Sequence, residues 1–350
     1  MTNTFNLEKL IRPNVAALEP YSSARDEFTE TGAAMVFLDA NENPFENGVN
    51  RYPDPQQRLL KKEIGLIKGI SEKNMLLGNG SDEVLDLLFR AFCEPSKDNI
   101  VTLPPTYGMY KVLAGINNIE NREVLLTEAF QPNVPAILEA VDEQTKMIFL
   151  CSPNNPTGTV FSEANIEQLL DNFKGLVVID EAYIDFSETE SWSKKLEQFP
   201  NLVVTQTLSK AYGMAGIRLG ICFASEEIIS TLNKIKPPYN INLLTQEKAI
   251  HRLQNISTIK KEINSLISEK DKLYKALLEV NFIDKVVPSE TNFILCRVDD
   301  ATKRYNQLIE KDIVVRNRSN QPLCENTLRF TVGTPEENEL LMTTLKQLQS

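Results

Sequence analysis

Leu202-Val203-Val204-Thr205-Gln206-Thr207-Leu208-Ser209-Lys210-Ala211-Tyr212-Gly213-Met214-Ala215-Gly216-Ile217-Arg218 passes from an apolar, β-branched run into a loop of small and hydroxylated residues. The run reads as a buried strand. The loop sets one lysine among hydroxyls, with an arginine eight positions on. A lysine that condenses with a carbonyl must lie on a close-fitting loop, and an anionic cofactor tail needs hydroxyls and a guanidinium beside it. Alone the pattern settles little, because most lysines are solvated surface charges. Its meaning depends on what the chain places at the ends of its other strands.

Further apolar runs lie at Met75–Leu77, Ile100–Leu103, Glu123–Leu126, Met147–Cys151, Leu176–Asp180 and Leu219–Phe223. Between them helical periodicity is clearest at Val84–Phe92 and Ile166–Phe173. Strand–helix alternation with nearly continuous Val, Ile and Leu predicts an α/β fold, a mostly parallel seven-stranded sheet between helices. Pro237-Pro238 is the strongest boundary signal, since neither residue can donate a helical hydrogen bond. Beyond it come helical stretches, two strand-like pieces at Phe293–Val298 and Leu328–Val332, and a last helix from about Pro335. The expected organisation is a polar N-terminal arm over 1–33, a large cofactor-binding α/β domain over 34–238 and a smaller α+β domain over 239–350.

Composition narrows the function. Against 37 basic residues stand 48 acidic ones, a net charge of −11, which argues against nucleic acid or an anionic membrane as the main partner. Cys93, Cys151, Cys222, Cys296 and Cys324 are scattered, odd in number and mostly in apolar runs, as reduced thiols of a cytoplasmic protein are. The single histidine, His251, falls on a predicted amphipathic helix, so neither a histidine triad nor a multi-histidine metal site is expected. No apolar run approaches the ~20 residues of a membrane span, and the N-terminus has no basic-then-apolar signal.

Polar motifs follow four of the predicted strands, and ligands of open α/β sheets bind beyond the carboxyl ends of strands. Tyr107 follows the strand ending at Leu103, and Ser152-Pro153-Asn154-Asn155-Pro156-Thr157-Gly158 follows the strand ending at Cys151. Asp180 closes another strand, and Lys210 follows a fourth. Each has a task if the ligand is pyridoxal 5′-phosphate. Asp180 holds the proton of the pyridine nitrogen, Asn155 and Tyr183 donate to the ring's phenolate oxygen, and Tyr107 stacks on the ring face. Gly78-Asn79-Gly80-Ser81-Asp82 opens an apolar helix, and a helix N-terminus after a glycine turn is an anion site. Thr207, Ser209 and Arg218 complete that cup, while the Asp82 carboxylate is expected to turn away from it. Taken singly these are an ordinary N-cap, a turn, a strand-end acid and a core-edge aromatic.

With these residues assembled, the chain resembles the fold-type-I pyridoxal-phosphate aminotransferases over nearly its full length. The motifs that carry the resemblance are Asn155-Pro156-Thr157-Gly158, Asp180-Glu181-Ala182-Tyr183 and the Ser209-Lys210 loop with Arg218. Arg12-Pro13, Pro20-Tyr21, Arg51-Tyr52-Pro53, Arg90-Ala91-Phe92-Cys93 and Leu328-Arg329-Phe330-Thr331-Val332-Gly333-Thr334 resemble the histidinol-phosphate aminotransferase subfamily. Tyr212 stands where that family often has phenylalanine. The resemblance implies transamination of L-histidinol phosphate with 2-oxoglutarate, Lys210 being the catalytic residue. It implies a homodimer in which Tyr52 reaches the neighbouring subunit's cofactor phosphate. It also implies that Arg329, Arg316 and Tyr21 bind the substrate's anionic end. Taken singly, Arg316 and Arg318 both read as solvated charge; only one need be functional, and spacing favours Arg316. Rival readings are an aromatic amino-acid aminotransferase, a phosphothreonine decarboxylase, and a non-catalytic regulator on the same fold.

Overall fold

The computed structural model describes residues 5–21 and 36–348, and among these the chain builds two sheets. The larger contains β1 (Met75–Asn79), β2 (Asn99–Thr102), β3 (Glu120–Glu123), β4 (Thr145–Cys151), β5 (Leu176–Asp180), β6 (Leu202–Thr207) and β7 (Leu219–Phe223). Their order is β1-β7-β6-β5-β4-β2-β3. Neighbours from β6 to β3 are parallel, while β7 runs against both β1 and β6.

The nearly continuous apolar runs are explained by burial on both faces. Side chains alternate along a strand, and here the alternation feeds two cores. Val177 and Ile179 of β5 join Ile148 and Leu150 of β4 in one apolar cluster, with Leu60, Ile64 and Phe161. Leu176 and Val178 join Met147 and Phe149 in the other, against the buried face of helix Gly80–Phe92. Phe89 stacks on Phe149 at 5.4 Å, and Phe149 on Tyr110 at 5.0 Å. Strand β3 departs from expectation, lying at Glu120–Glu123 rather than at the apolar Glu123–Leu126. It is an edge strand paired only with β2, and edges favour polar residues over apolar ones.

The smaller sheet has the order β10-β11-β9-β8, with β8 (Ile283–Val286), β9 (Phe293–Val298), β10 (Arg316–Asn317) and β11 (Thr327–Thr331), all antiparallel. Ile294, Cys296, Leu328 and Phe330 pack with Leu273 and Leu277 of helix Ile256–Leu277 and with Leu341 and Leu345 of helix Pro335–Gln347. That last helix starts on a capping box between Thr334 and Glu337. At the Pro237-Pro238 turn, the buried Lys236 ammonium donates to the carbonyls of Pro55, Pro237 and Pro238 and to Asn240 Oδ1. Asn240 in turn donates to Leu77 O and Glu83, and so ties that turn to β1. All five cysteines are buried and unbridged.

One buried acid gives the fold a pH signature. Glu181, just past β5, accepts from Ser191 Oγ at 2.5 Å, Trp192 N at 2.7 Å and Gln206 Nε2 at 2.8 Å. Burial outweighs these donors and raises its pKa from 4.5 to about 7. A group whose folded pKa is raised contributes stability that is complete below the unfolded pKa and lost as pH rises through the folded one. The loss therefore runs from about pH 4.5 to 7 and totals roughly 3 kcal/mol. Urea melts of the wild type and Glu181→Gln between pH 4.5 and 8 test this. The wild type should lose stability relative to the variant as pH rises, and parallel profiles would refute the shift.

Candidate active site

Strand direction assembles the site. Because β6, β5, β4 and β2 are adjacent and parallel, their carboxyl ends share one edge of the sheet. Antiparallel β7 starts at that same edge, and β1, running against β7, ends there. A cavity of about 350 Å³ opens on it. Ser81 and Asp82 reach it from β1, Tyr107 from β2, Asn155 from β4, Asp180 and Tyr183 from β5, and Thr207, Ser209 and Lys210 from β6. Arg218 enters just before β7, and Arg316 and Arg329 enter from the smaller sheet.

One end of the cavity is a cup for an anion. Helix Gly80–Phe92 begins directly on β1, and its N-cap Asn79 makes no side-chain cap bond, so first-turn N–H groups are left for a ligand. Gly80 has φ +75°, and a Cβ there would lie 2.6 Å from Arg218 Nη2. The positive φ strains any other residue there, and a Cβ would push that guanidinium aside. Gly220 is equally constrained, since its Cβ would stand 2.2 Å from Ser81 N. Across the cup Thr207 Oγ1 donates to Ser209 Oγ at 2.9 Å and accepts from Ser209 N at 3.1 Å. The Asp82 carboxylate does not turn away as expected. It accepts from Tyr107 Oη at 3.1 Å and lies 3.7 Å from Arg218, whose positive charge makes facing the cup tolerable.

Asp180 sits at the cavity floor, 2 % exposed. Tyr110 Oη donates to its Oδ2 at 2.7 Å and Ala182 N to its Oδ1 at 3.1 Å. No basic side chain is among its partners in the described residues, and burial raises its pKa despite the hydrogen bonds it accepts. A desolvated carboxylate without a cation is costly, and it is suited to a ligand that brings one. Tyr110 was not anticipated from sequence. Its signal is faint, a second tyrosine three positions after Tyr107 at the start of helix Met109–Ile116.

Lys210 lines the same cavity, its Nζ 5.7 Å from the centre of the Tyr183 ring. Burial, then the positive charges of Arg329 and Arg218, lower its pKa, so its amine loses a proton more readily than an ordinary lysine's. Its loop is held from outside. Gly213 N bonds Lys210 O at 3.0 Å, Arg252 Nε bonds Tyr212 O at 3.0 Å, and Tyr212 Oη approaches Asp185. Asp185 is itself paired with Lys68 at 2.7 Å. Opposite, Asn155 Nδ2 reaches Tyr183 Oη at 3.5 Å, and Asn155 Oδ1 accepts from Arg329 Nη1 at 2.5 Å.

One sequence-derived expectation falls differently. Arg318 is not merely solvated charge but lines the cavity, with Nη2 3.5 Å from Asn155 Oδ1. Tyr52 lies outside the cavity, stacked on Tyr239 at 4.4 Å beside Arg51, Asn242 and Leu243. Tyr21 is 75 % exposed and is not among the lining residues either.

Taken together, the site offers an anion cup, a buried acid without a cation and a lysine with a lowered pKa. Residues 36–345 match the family model described as aminotransferase class I and II. The histidinol-phosphate aminotransferase of Flavobacterium johnsoniae is 67 % identical over 99 % of each chain, and that of Christiangramia forsetii is 62 % identical over 99 % of each. The crystal structure of the histidinol-phosphate aminotransferase from Clostridium acetobutylicum superposes with a TM-score of 0.80 at 25 % identity, covering 86 % of this chain and 91 % of that one. The chain belongs to the class I and II aminotransferases, on the histidinol-phosphate aminotransferase branch.

Proposed function

We propose that this chain is a pyridoxal-phosphate-dependent transaminase that moves the amino group of L-histidinol phosphate to 2-oxoglutarate, giving imidazole acetol phosphate and glutamate for histidine biosynthesis. The observation that carries the reading is the buried Asp180, without a basic partner, in the same cavity as Lys210 and a backbone-built anion cup. The residues present fit the cofactor at both ends. Gly80, Ser81, Asp82, Thr207, Ser209 and Arg218 would hold its phosphate, and Asp180 its ring nitrogen, while Asn155, Tyr183 and Tyr107 border the ring. When bound, the cofactor supplies an electrophilic aldehyde and a protonated ring that withdraws electrons from the substrate's α-carbon.

The chain supplies the rest. Lys210 anchors the cofactor through Nζ and, once released, carries the proton leaving the α-carbon. Its lowered pKa keeps more of that amine unprotonated near neutral pH. Asp180, with Tyr110 and Ala182 orienting its oxygens, keeps the ring nitrogen protonated by placing a full negative charge beside it. Arg329 and Arg316 bind the anionic end, where a phosphate and a carboxylate alternate, and a guanidinium accepts either. The reading extends to a homodimer in a reducing cytoplasm, with a large domain before Pro237-Pro238 and a small one after it. Support for the dimer is that Tyr52 and Tyr21 lie away from their own chain's cavity.

Three experiments follow. Mixing the cofactor-loaded protein with L-histidinol phosphate should bleach the cofactor's absorbance, and 2-oxoglutarate should restore it. Lys210→Ala should slow this by roughly 10³-fold or more with the fold intact. Bleaching by phenylalanine or tyrosine alone would instead favour the aromatic aminotransferase, and release of carbon dioxide the decarboxylase. Asp180→Asn should weaken cofactor binding at least about tenfold, read by equilibrium dialysis, because an amide cannot balance the ring's charge. Unchanged affinity would contradict its assignment. Finally, Tyr52→Ala and Lys210→Ala chains co-expressed should form hybrids in which one site is complete. If activity in purified hybrids does not exceed that of either variant alone, Tyr52 does not cross between subunits.

A further inference from the structure

The arginine-lined end of the cavity holds one guanidinium more than a carboxylate needs. Arg316 and Arg329 face each other in register across β10 and β11, and Arg318 follows two residues beyond. All three line the cavity. No carboxylate pairs with Arg318 or Arg329 among the described residues, and the Nε of each is buried without an acceptor. Burial, then the charges of Arg329 and Arg316, lower the pKa of Arg318 to about 10. Positive charge is therefore concentrated here without internal compensation, an arrangement that an incoming anion relieves.

Ligand chemistry gives the third arginine its task. A carboxylate presents two oxygens and one charge, which one guanidinium fork and a second donor satisfy. A phosphate monoester presents three terminal oxygens and about −1.5 to −2 charges. The contacts of the free site fit a division of labour. Arg329 is held tightly by Asn155 Oδ1 at 2.5 Å, whereas Arg318 reaches the same oxygen only at 3.5 Å, the limit of a hydrogen bond. Turning Arg318 to a ligand gives up little, so its donors are available to the additional oxygen.

We infer that Arg318 is a specificity-determining residue, the third anion-binding guanidinium that makes this cavity prefer a phosphate monoester to a carboxylate. The identity of the phosphate monoester as histidinol phosphate rests on the transaminase reading. The anion preference rests on the three arginines alone.

The test uses two unreactive probes, glycerol 3-phosphate and glutarate, titrated into the cofactor-loaded protein and read by displacement calorimetry. The wild type should bind the phosphate probe more tightly. Arg318→Gln should weaken glycerol 3-phosphate by about tenfold to a hundredfold and glutarate by less than threefold, with Arg318→Lys intermediate for the phosphate. Equal losses for both probes, or no loss for either, overturn the inference. So does a wild type with no phosphate preference. The half-reaction with L-histidinol phosphate separates the two claims. A protein that shows the Arg318-dependent preference yet ignores that substrate keeps the inference and loses the substrate assignment.

Discussion

A carboxylate kept from water without a cation is the constraint around which this molecule is arranged. Asp180 ends the central strand β5, and a charge there is tolerable only because everything near it is fixed. Tyr110 can donate to it because its ring is wedged against Phe149, which is itself stacked on Phe89 of the helix behind the sheet. The apolar core thus sets the direction of a polar bond. Burial raises the pKa of Asp180 despite the hydrogen bonds it accepts.

The same logic extends outward. The lysine loop follows β6, one strand from Asp180, and is braced from behind by Arg252 on Tyr212 and by the Lys68–Asp185 pair. The anion cup follows β1 and is shaped by two glycines that let backbone and guanidinium approach each other. Arg329 on β11 and Arg318 just after β10 come from the smaller sheet, yet both converge on Asn155, which follows β4 of the larger one. One amide therefore joins the surface that would touch the cofactor to the surface that would touch the substrate.

Much of this was legible in sequence, for a definite reason. Parallel strands buried on both faces write themselves as apolar runs, and their common direction puts whatever follows each run at one edge. Tyr107, Asn155, Asp180 and Lys210 could be placed together on that rule alone. What escaped lacks such a signature. Strand β3 is polar because it is an edge, and β10 is two residues long, too short for any periodicity. Tyr110 serves the site from inside a helix, where an aromatic looks like core. Arg318 looked solvated because the pairing that turns β10 toward the cavity is a long-range fact. The Asp82 carboxylate was misjudged because its partner, Arg218, is distant in sequence and adjacent only in space.

The Lys236 ammonium has a consequence of another kind. Three backbone carbonyls and an amide oxygen surround it, a set of hard oxygen donors resembling the shell of a bound alkali ion. Here the cation is covalently tethered and cannot exchange with the medium. The Pro237-Pro238 turn is therefore tied to Pro55 by a charge that the chain carries itself.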